Sequence, residues 1–331
     1  MRWSSDVWRA DWIGPRLAPF DSGEVTSVVP DGFESYARIL HPCPDTDGGT
    51  VRWSRVAQWS GIPLRPGMQF TEIAFPEHTP DGPVPCDHGP VEGTLPRGDA
   101  AALTAPLAAH TSTPGTCWFC VWDGFGWDNW VPLTFGDGDA PALPPFRDPV
   151  PSEVRDGPRV RLPHRDYFLY GGPASDVVAL ADAVDQTPNL WWPEDRAWCA
   201  GTDIDLPVTY LGGSADLIAA VLADDRIEAQ PARPHEEDHH LRGPAWLADR
   251  IDEAVSELLL DGRTRVDTVH GSTHAHLENR PDGAQRLAVR YSRGNGSAGI
   301  GGTFVRTTDD EERRRQIHHQ LTFSVLGLIH F

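Results

Sequence analysis

Lysine is missing from the chain: all 28 basic residues are arginine, set against 48 acidic residues. Arginine has GC-rich codons and lysine does not, so the absence points first to a high-GC genome and second to a salt-adapted acidic surface. The net charge of −20 and pI near 5.0 repel polyphosphate, so a nucleic-acid partner needs a local basic patch. The residues before 260 offer none, and no nucleic acid is expected as a partner. Cysteine is sparse and odd in number (Cys43, Cys86, Cys117, Cys120, Cys199), which argues against a secreted disulfide framework and for reduced thiols. Long apolar runs are lacking too: Leu217–Leu222 falls far short of the ~20 residues that cross a bilayer, so no membrane partner is expected. Met1–Gly14 is charged and tryptophan-rich rather than basic then apolar, unlike a secretory signal, and a cytoplasmic location is expected.

What is present describes a soluble, acidic, globular protein. The 331 residues are 39% hydrophobic and include thirteen tryptophans, which need burial or a partner and do not fit a disordered chain. Short aromatic or branched runs bounded by glycine or proline predict strands at Tyr36–Leu40, Gln69–Ala74, Thr116–Trp122, Asp166–Tyr170, Ala197–Ile204 and Val208–Leu211. Helical periodicity predicts helices at Val51–Trp59, Asp99–Ala109, Ser175–Ala183 and Ser214–Leu222, with Asp99, Ser175 and Ser214 as N-caps. Their irregular order favours an α+β fold, a mixed sheet with helices on it, over a doubly wound parallel sheet.

The expected organisation is a main domain over residues 1–232, a linker over 233–244 and a small C-terminal α/β extension over 245–331. The linker is rich in proline and charge. Beyond it, Trp246, Ile251, Val255, Leu258 and Leu259 share one helical face. Residues 261–331 hold ten arginines against eight acids, six histidines and no tryptophan. Arg286–Tyr291 and Leu321–Phe331 read there as strands, with a short charged helix over Asp309–His319.

Several constellations bear on chemistry. Trp118, Trp122, Trp127 and Trp130, around Asp123-Gly124-Phe125-Gly126, imply a hairpin whose Trp118 and Trp122 share a face, either as a stacking platform or as core filling. Asp203 and Asp205 are expected on one strand face, close enough to share a proton or a cation, or else as solvated strand-end acids. Cys117 and Cys120 have the spacing of a redox pair or half a zinc knuckle, with Cys86 and His88 as further ligands. In a strand, however, 117 and 120 point to opposite faces. These four are weak candidates, and neither a bound metal nor a cofactor is expected.

His235-Glu236-Glu237-Asp238-His239 matches the spacing of the zincin signature. The flanking Pro234, Gly243 and Pro244 suit a solvated linker instead. Gly212-Gly213-Ser214 before a helix has the form of an anion loop but lacks the lysine of a phosphate loop, so a turn with a helix cap is the stronger reading. His270, His274, His276, His318 and His319 have no acidic or cysteine partner at ligand spacing. No serine occupies a nucleophile-elbow frame; Ser297 lies in a glycine-rich loop.

Two resemblances add to these readings. Gly32–Pro42, His110–Gly126 and Pro193–Ile218 together resemble a family of uncharacterised proteins from high-GC actinobacteria, a likeness that covers most of residues 1–230 and transfers no activity. Leu162–Gly172 (LPHRDYFLYGG) is similar to the Leu-Pro…Tyr…Gly-Gly stretch of the SUKH superfamily of immunity and interaction domains. That likeness implies an α+β module that binds another protein through an acidic, aromatic-lined face, and the net charge suits a basic partner. The alternative is a small-molecule binder or metal-assisted hydrolase using Asp203 and Asp205 beside the tryptophan platform. A deep cavity lined by these residues favours the second reading, and an exposed patch favours the first.

Overall fold

The structure is a computed structural model that describes residues 1–45, 49–86, 88–125, 151–179, 186–237, 242–280, 285–292, 298–305 and 309–329. Gly126, Trp127, Trp130, His239, Ser297 and most of the second half of the helix expected over Ser175–Ala183 lie outside the described residues.

In chain order the elements are β1 (Arg2–Trp3), β2 (Ser35–Leu40), β3 (Cys43–Pro44), β4 (Thr50–Val51), α1 (Trp53–Ser60), α2 (Phe70–Ala74), α3 (Arg97–Ala109) and β5 (Cys117–Trp122). They continue with α4 (Ser152–Arg155), β6 (Val160–Leu162), β7 (Arg165–Gly172), β8 (Leu190–Pro193), β9 (Cys199–Gly201), β10 (Val208–Gly213), α5 (Ala215–Leu222) and β11 (Ala229–Ala232). The last are α6 (Ala245–Asp261), β12 (Arg263–Thr268), β13 (Gly271–Asn279), β14 (Gln285–Ser292), β15 (Ala298–Val305) and α7 (Asp310–Leu326). The fold is α+β. No helix among the described residues is long and apolar enough to cross a membrane.

The chain divides into two compact units, one of Met1–His41 with Val91–Glu237 and one of Pro42–Pro90 with Asp238–Phe331. The first is built on a nine-stranded sheet in the order β1-β7-β5-β8-β9-β10-β2-β11, with β6 also paired to β7. Both sheet faces are covered, so its strands are nearly continuous apolar runs, as expected of a sheet buried on two sides. Cys117, Phe119, Trp191, Trp198 and Leu211 pack against Leu103 and Leu107 of α3 and Leu217 of α5. On the opposite face Trp118, Cys120, Leu169 and Trp192 pack against Ala10 and Ile13 of the N-terminal 3-10 turns. Period-2 alternation along β5 therefore puts Cys117 and Cys120 in separate cores.

The second unit holds the four-stranded antiparallel sheet β12-β13-β14-β15. α6 buries Leu247, Ile251, Ala254, Val255 and Leu258. The expected stripe is thus correct at three positions, while Trp246 is half-buried with its indole N–H donating to the Phe75 carbonyl at 2.9 Å.

Two predicted strands are helices. Gln69–Ala74 is α2, because Gln69 and Glu72 form a reciprocal capping box: the Gln69 amide donates to Glu72 Oε2 at 2.7 Å. Of the stretch Leu321–Phe331, residues 321–326 continue α7, whose buried Ile317, Leu321 and Val325 recur every fourth residue, and Gly327–Ile329 form a 3-10 turn. Branched and aromatic composition concealed that period. α7 starts where expected, with Asp309 accepting from the Glu312 amide at 2.8 Å. The strand expected over Ala197–Ile204 is confined to Cys199–Gly201. Asp99 lies inside the first turn of α3, which follows Pro96 as its cap.

Candidate functional site

Asp203 and Asp205 do not share a strand face. They occupy the turn after β9, where the Leu206 amide donates to the Asp203 carbonyl at 3.1 Å and the Asp205 amide to Asp203 Oδ1 at 3.2 Å. A single side chain joins them: Arg165, the first residue of β7, donates from Nη2 to Asp203 Oδ1 at 3.3 Å and to Asp205 Oδ2 at 3.4 Å. Its guanidinium carbon lies 4.8 Å from the Phe20 ring centre and 5.6 Å from that of Trp122, within cation–π range. Phe20 also stacks at a tilt on His164, 4.8 Å between centres. His164 holds a left-handed φ of 64° in the β6–β7 turn, and the register Leu162↔Arg165 places Arg165 directly after it. Arg165 and Asp203 are largely buried, whereas Asp205 is 67% exposed.

A third carboxylate belongs to this cluster. Burial first, and the Asp205 charge second, push the Glu92 carboxyl up to about 7. Glu92 is held there by its neighbours. Gly93 has φ +75°, and a Cβ on it would lie 2.6 Å from the Ile204 carbonyl oxygen, so only glycine lets the two segments run this close. The Gly93 amide donates to the Leu206 carbonyl at 3.1 Å, and the Gly93 carbonyl accepts from Asn189 Nδ2 at 3.2 Å.

Behind the cluster lies a buried polar chain. His41 Nδ1 donates to the Val91 carbonyl at 2.6 Å, which leaves Nε2 to accept from the Thr209 hydroxyl at 2.8 Å. Thr209 in turn accepts from the Thr202 hydroxyl at 2.6 Å. Burial pushes the His41 imidazole down to about 4, so it is neutral and fixed in one tautomer.

The tryptophan platform divides. Trp122 lies beside Arg165. Trp118 is almost wholly buried, with its indole N–H donating to Glu194 Oε2 at 2.5 Å and Arg9 stacked on its ring at 4.5 Å. Trp118 is thus core and Trp122 belongs to the site. A cavity of about 350 Å3 lies elsewhere in this unit, between Val7–Pro15 and Arg159–Leu162, and none of Trp118, Trp122, Asp203 and Asp205 lines it.

The remaining candidates take up other roles. Cys117 and Cys120 face opposite ways, and burial pushes the Cys117 thiol up to about 12 and the Cys120 thiol higher still. Cys86, buried, and His88, exposed, belong to the second unit. No metal-holding group of three or more His, Cys, Asp or Glu side chains occurs among the described residues. Pro234 and His235 form a turn closed by the Glu236 amide on the Arg233 carbonyl at 3.1 Å, and Glu237 bridges Glu24, with the Val25 amide donating to the Glu236 carbonyl at 3.1 Å and His235 Nδ1 2.8 Å from Glu24 Oε2. The described part of the zincin-like string is therefore not helical. At Gly212-Gly213-Ser214, Ser214 caps α5 as expected, and the Ala215 amide donates to Glu34 Oε2 at 3.0 Å. The anion at that helix start is the chain's own. His274 and His276 do share an exposed strand face, and His270 is buried with Nε2 2.7 Å from the Ala74 carbonyl.

Sequence reasoning missed Arg165, Phe20 and Glu92. The first lay inside the stretch Leu162–Gly172, which runs from the end of β6 through the turn to the end of β7. Comparison of the chain with family models, curated proteins and solved structures returns no match.

Proposed function

We propose that the unit of Met1–His41 and Val91–Glu237 is an immunity-like protein-interaction module that binds a basic partner through the Glu92, Asp203 and Asp205 cluster. The observation that carries this reading is the capture of the Arg165 guanidinium by two carboxylates and two aromatic faces. A partner's arginine meets the same chemistry at the exposed edge of the cluster, Asp205 and Phe20, in exchange with Arg165, since carboxylates and ring faces are what binds a guanidinium. Asp205 and Phe20 are exposed there, so a partner reaches the cluster without the fold opening. The unit carries 29 acidic residues against 13 arginines, a field that steers a basic protein towards it.

The metal-assisted hydrolase is the second reading, and Glu92 is the observation in its favour, because a carboxyl poised near 7 suits general acid–base work. Like the interaction reading it requires Arg165 to yield its place at Asp203 and Asp205, and among the described residues no group of three or more metal-holding side chains stands ready for an ion.

Capture from host lysate on the immobilised full chain tests the interaction reading. A basic protein retained at stoichiometric level in low salt, released by high salt and lost with Glu92→Gln/Asp205→Asn is the expected result. Equal retention by the double variant, or a preparation that carries a tightly bound metal and retains no protein, overturns it.

A further inference from the structure

The second unit presents a face of opposite character. Alternation along β12, β13 and β14 points Val266, Thr273, Ala275, Leu287 and Val289 into the core. α6 covers that side: the Thr264 hydroxyl donates to Glu257 of α6. The other side is left open, and the register fixes what it displays. Arg263 pairs with His276, and Arg265 with His274, which pairs onward with Arg290. Arg263, Arg265, His274, His276 and Arg290 are all exposed.

The carboxylates of this face are Asp267 and Glu278, in the outer rows, where they pair with Arg265 at 2.8 Å and with His276 at 2.9 Å. The two central rows of β12–β14 contain no acid. Arg263 and Arg290 have no ion-pair partner among the described residues. In an acidic chain, three arginines and two imidazoles gathered on one open sheet face form the local basic patch that the bulk charge hides.

We propose that this open face of β12–β14 binds single-stranded nucleic acid. The strand positions that carry the arginines are about 7 Å apart along a strand and about 10 Å apart across two strands, a spread that meets successive phosphates rather than one small anion. His274 and His276, on the strand between them, offer flat rings for bases to stack on. An acidic protein would use the arginines and leave those rings without a role. These five side chains are exposed side by side on the face opposite the core, so a flexible strand can lie across them.

Fluorescence anisotropy of the full chain with labelled oligo(U) and oligo(dT), each about 12 nucleotides long, tests the proposal. The expected result is binding to either probe with a log–log salt slope of about −2, from about 0.7 per phosphate neutralised by three arginines. Arg263→Glu/Arg290→Glu should weaken binding at least about tenfold, and Arg263→Lys/Arg290→Lys should retain it. Both residues are exposed and neither has an ion-pair partner among the described residues, so neither variant threatens the fold. No anisotropy change at low salt overturns the proposal. So does unaltered binding by the Glu variant, or a polyglutamate peptide that binds as tightly as the oligonucleotides.

Discussion

Arg165 and Asp203 form a largely buried ion pair, 3.3 Å between Nη2 and Oδ1, and the same nitrogen reaches the exposed Asp205 at 3.4 Å. One guanidinium therefore ties a core carboxylate to a surface one. Removing one partner of such a pair leaves the other's charge poorly solvated, a larger loss than the pair's net contribution.

Arg165→Gln should separate stability from recognition. Loss of the buried partner of Asp203 should lower unfolding stability by about 1–3 kcal/mol, read by urea denaturation. Freed carboxylates should at the same time bind a basic peptide more tightly. A variant that loses both properties contradicts the role given to the cluster.

His41 and Glu92 meet at Val91 and titrate in opposite senses. Glu92, raised from 4.5 to about 7, holds a proton that the unfolded chain has released, so its contribution is full below 4.5 and is lost as pH rises through 7. His41, lowered from 6.5 to about 4, contributes above 6.5 and loses that contribution as pH falls through 4. The two slopes oppose each other between about 4.5 and 6.5. Glu92→Gln should therefore expose a stability that climbs with pH across this window, and His41→Leu one that declines. Denaturant unfolding at stepped pH measures both, and unchanged profiles would refute the assignment.

Gly93→Ala should destabilise by at least about 1–2 kcal/mol, since a left-handed φ alone costs that much with a side chain and the new Cβ meets the Ile204 carbonyl. The shift of residues 91–93 should also separate Glu92 from Asp205, lowering the pH of the Glu92 transition. An unchanged thermal midpoint would count against the close approach described.

All five cysteines are buried thiols. A thiol-specific reagent should label none of them at mildly alkaline pH in the native chain and all five in denaturant. Rapid native labelling at Cys117 or Cys120 would revive the redox reading that their opposite orientation excludes.

Local signals were the ones legible beforehand. The alternation in Cys117–Trp122, the cap at Ser214 and the stripe through Ile251, Val255 and Leu258 each rest on neighbours in sequence, and each is realised. The capping box at Gln69 and Glu72 was equally local but was masked by strand-favouring composition. Arg165, Glu92 and Phe20 were beyond such reasoning, because segments distant in sequence bring them beside Asp205. Likewise the tail's slight basic excess was countable, while its concentration on one face depends on the β12–β14 register.

The most direct measurement is titration of the full chain with an arginine-rich peptide, followed by tryptophan fluorescence and repeated with Glu92→Gln/Asp205→Asn and Trp122→Leu. Salt-sensitive binding that changes the fluorescence, falls about tenfold in the first variant and loses its signal in the second is the result the account requires. Binding of equal strength by all three chains would contradict it.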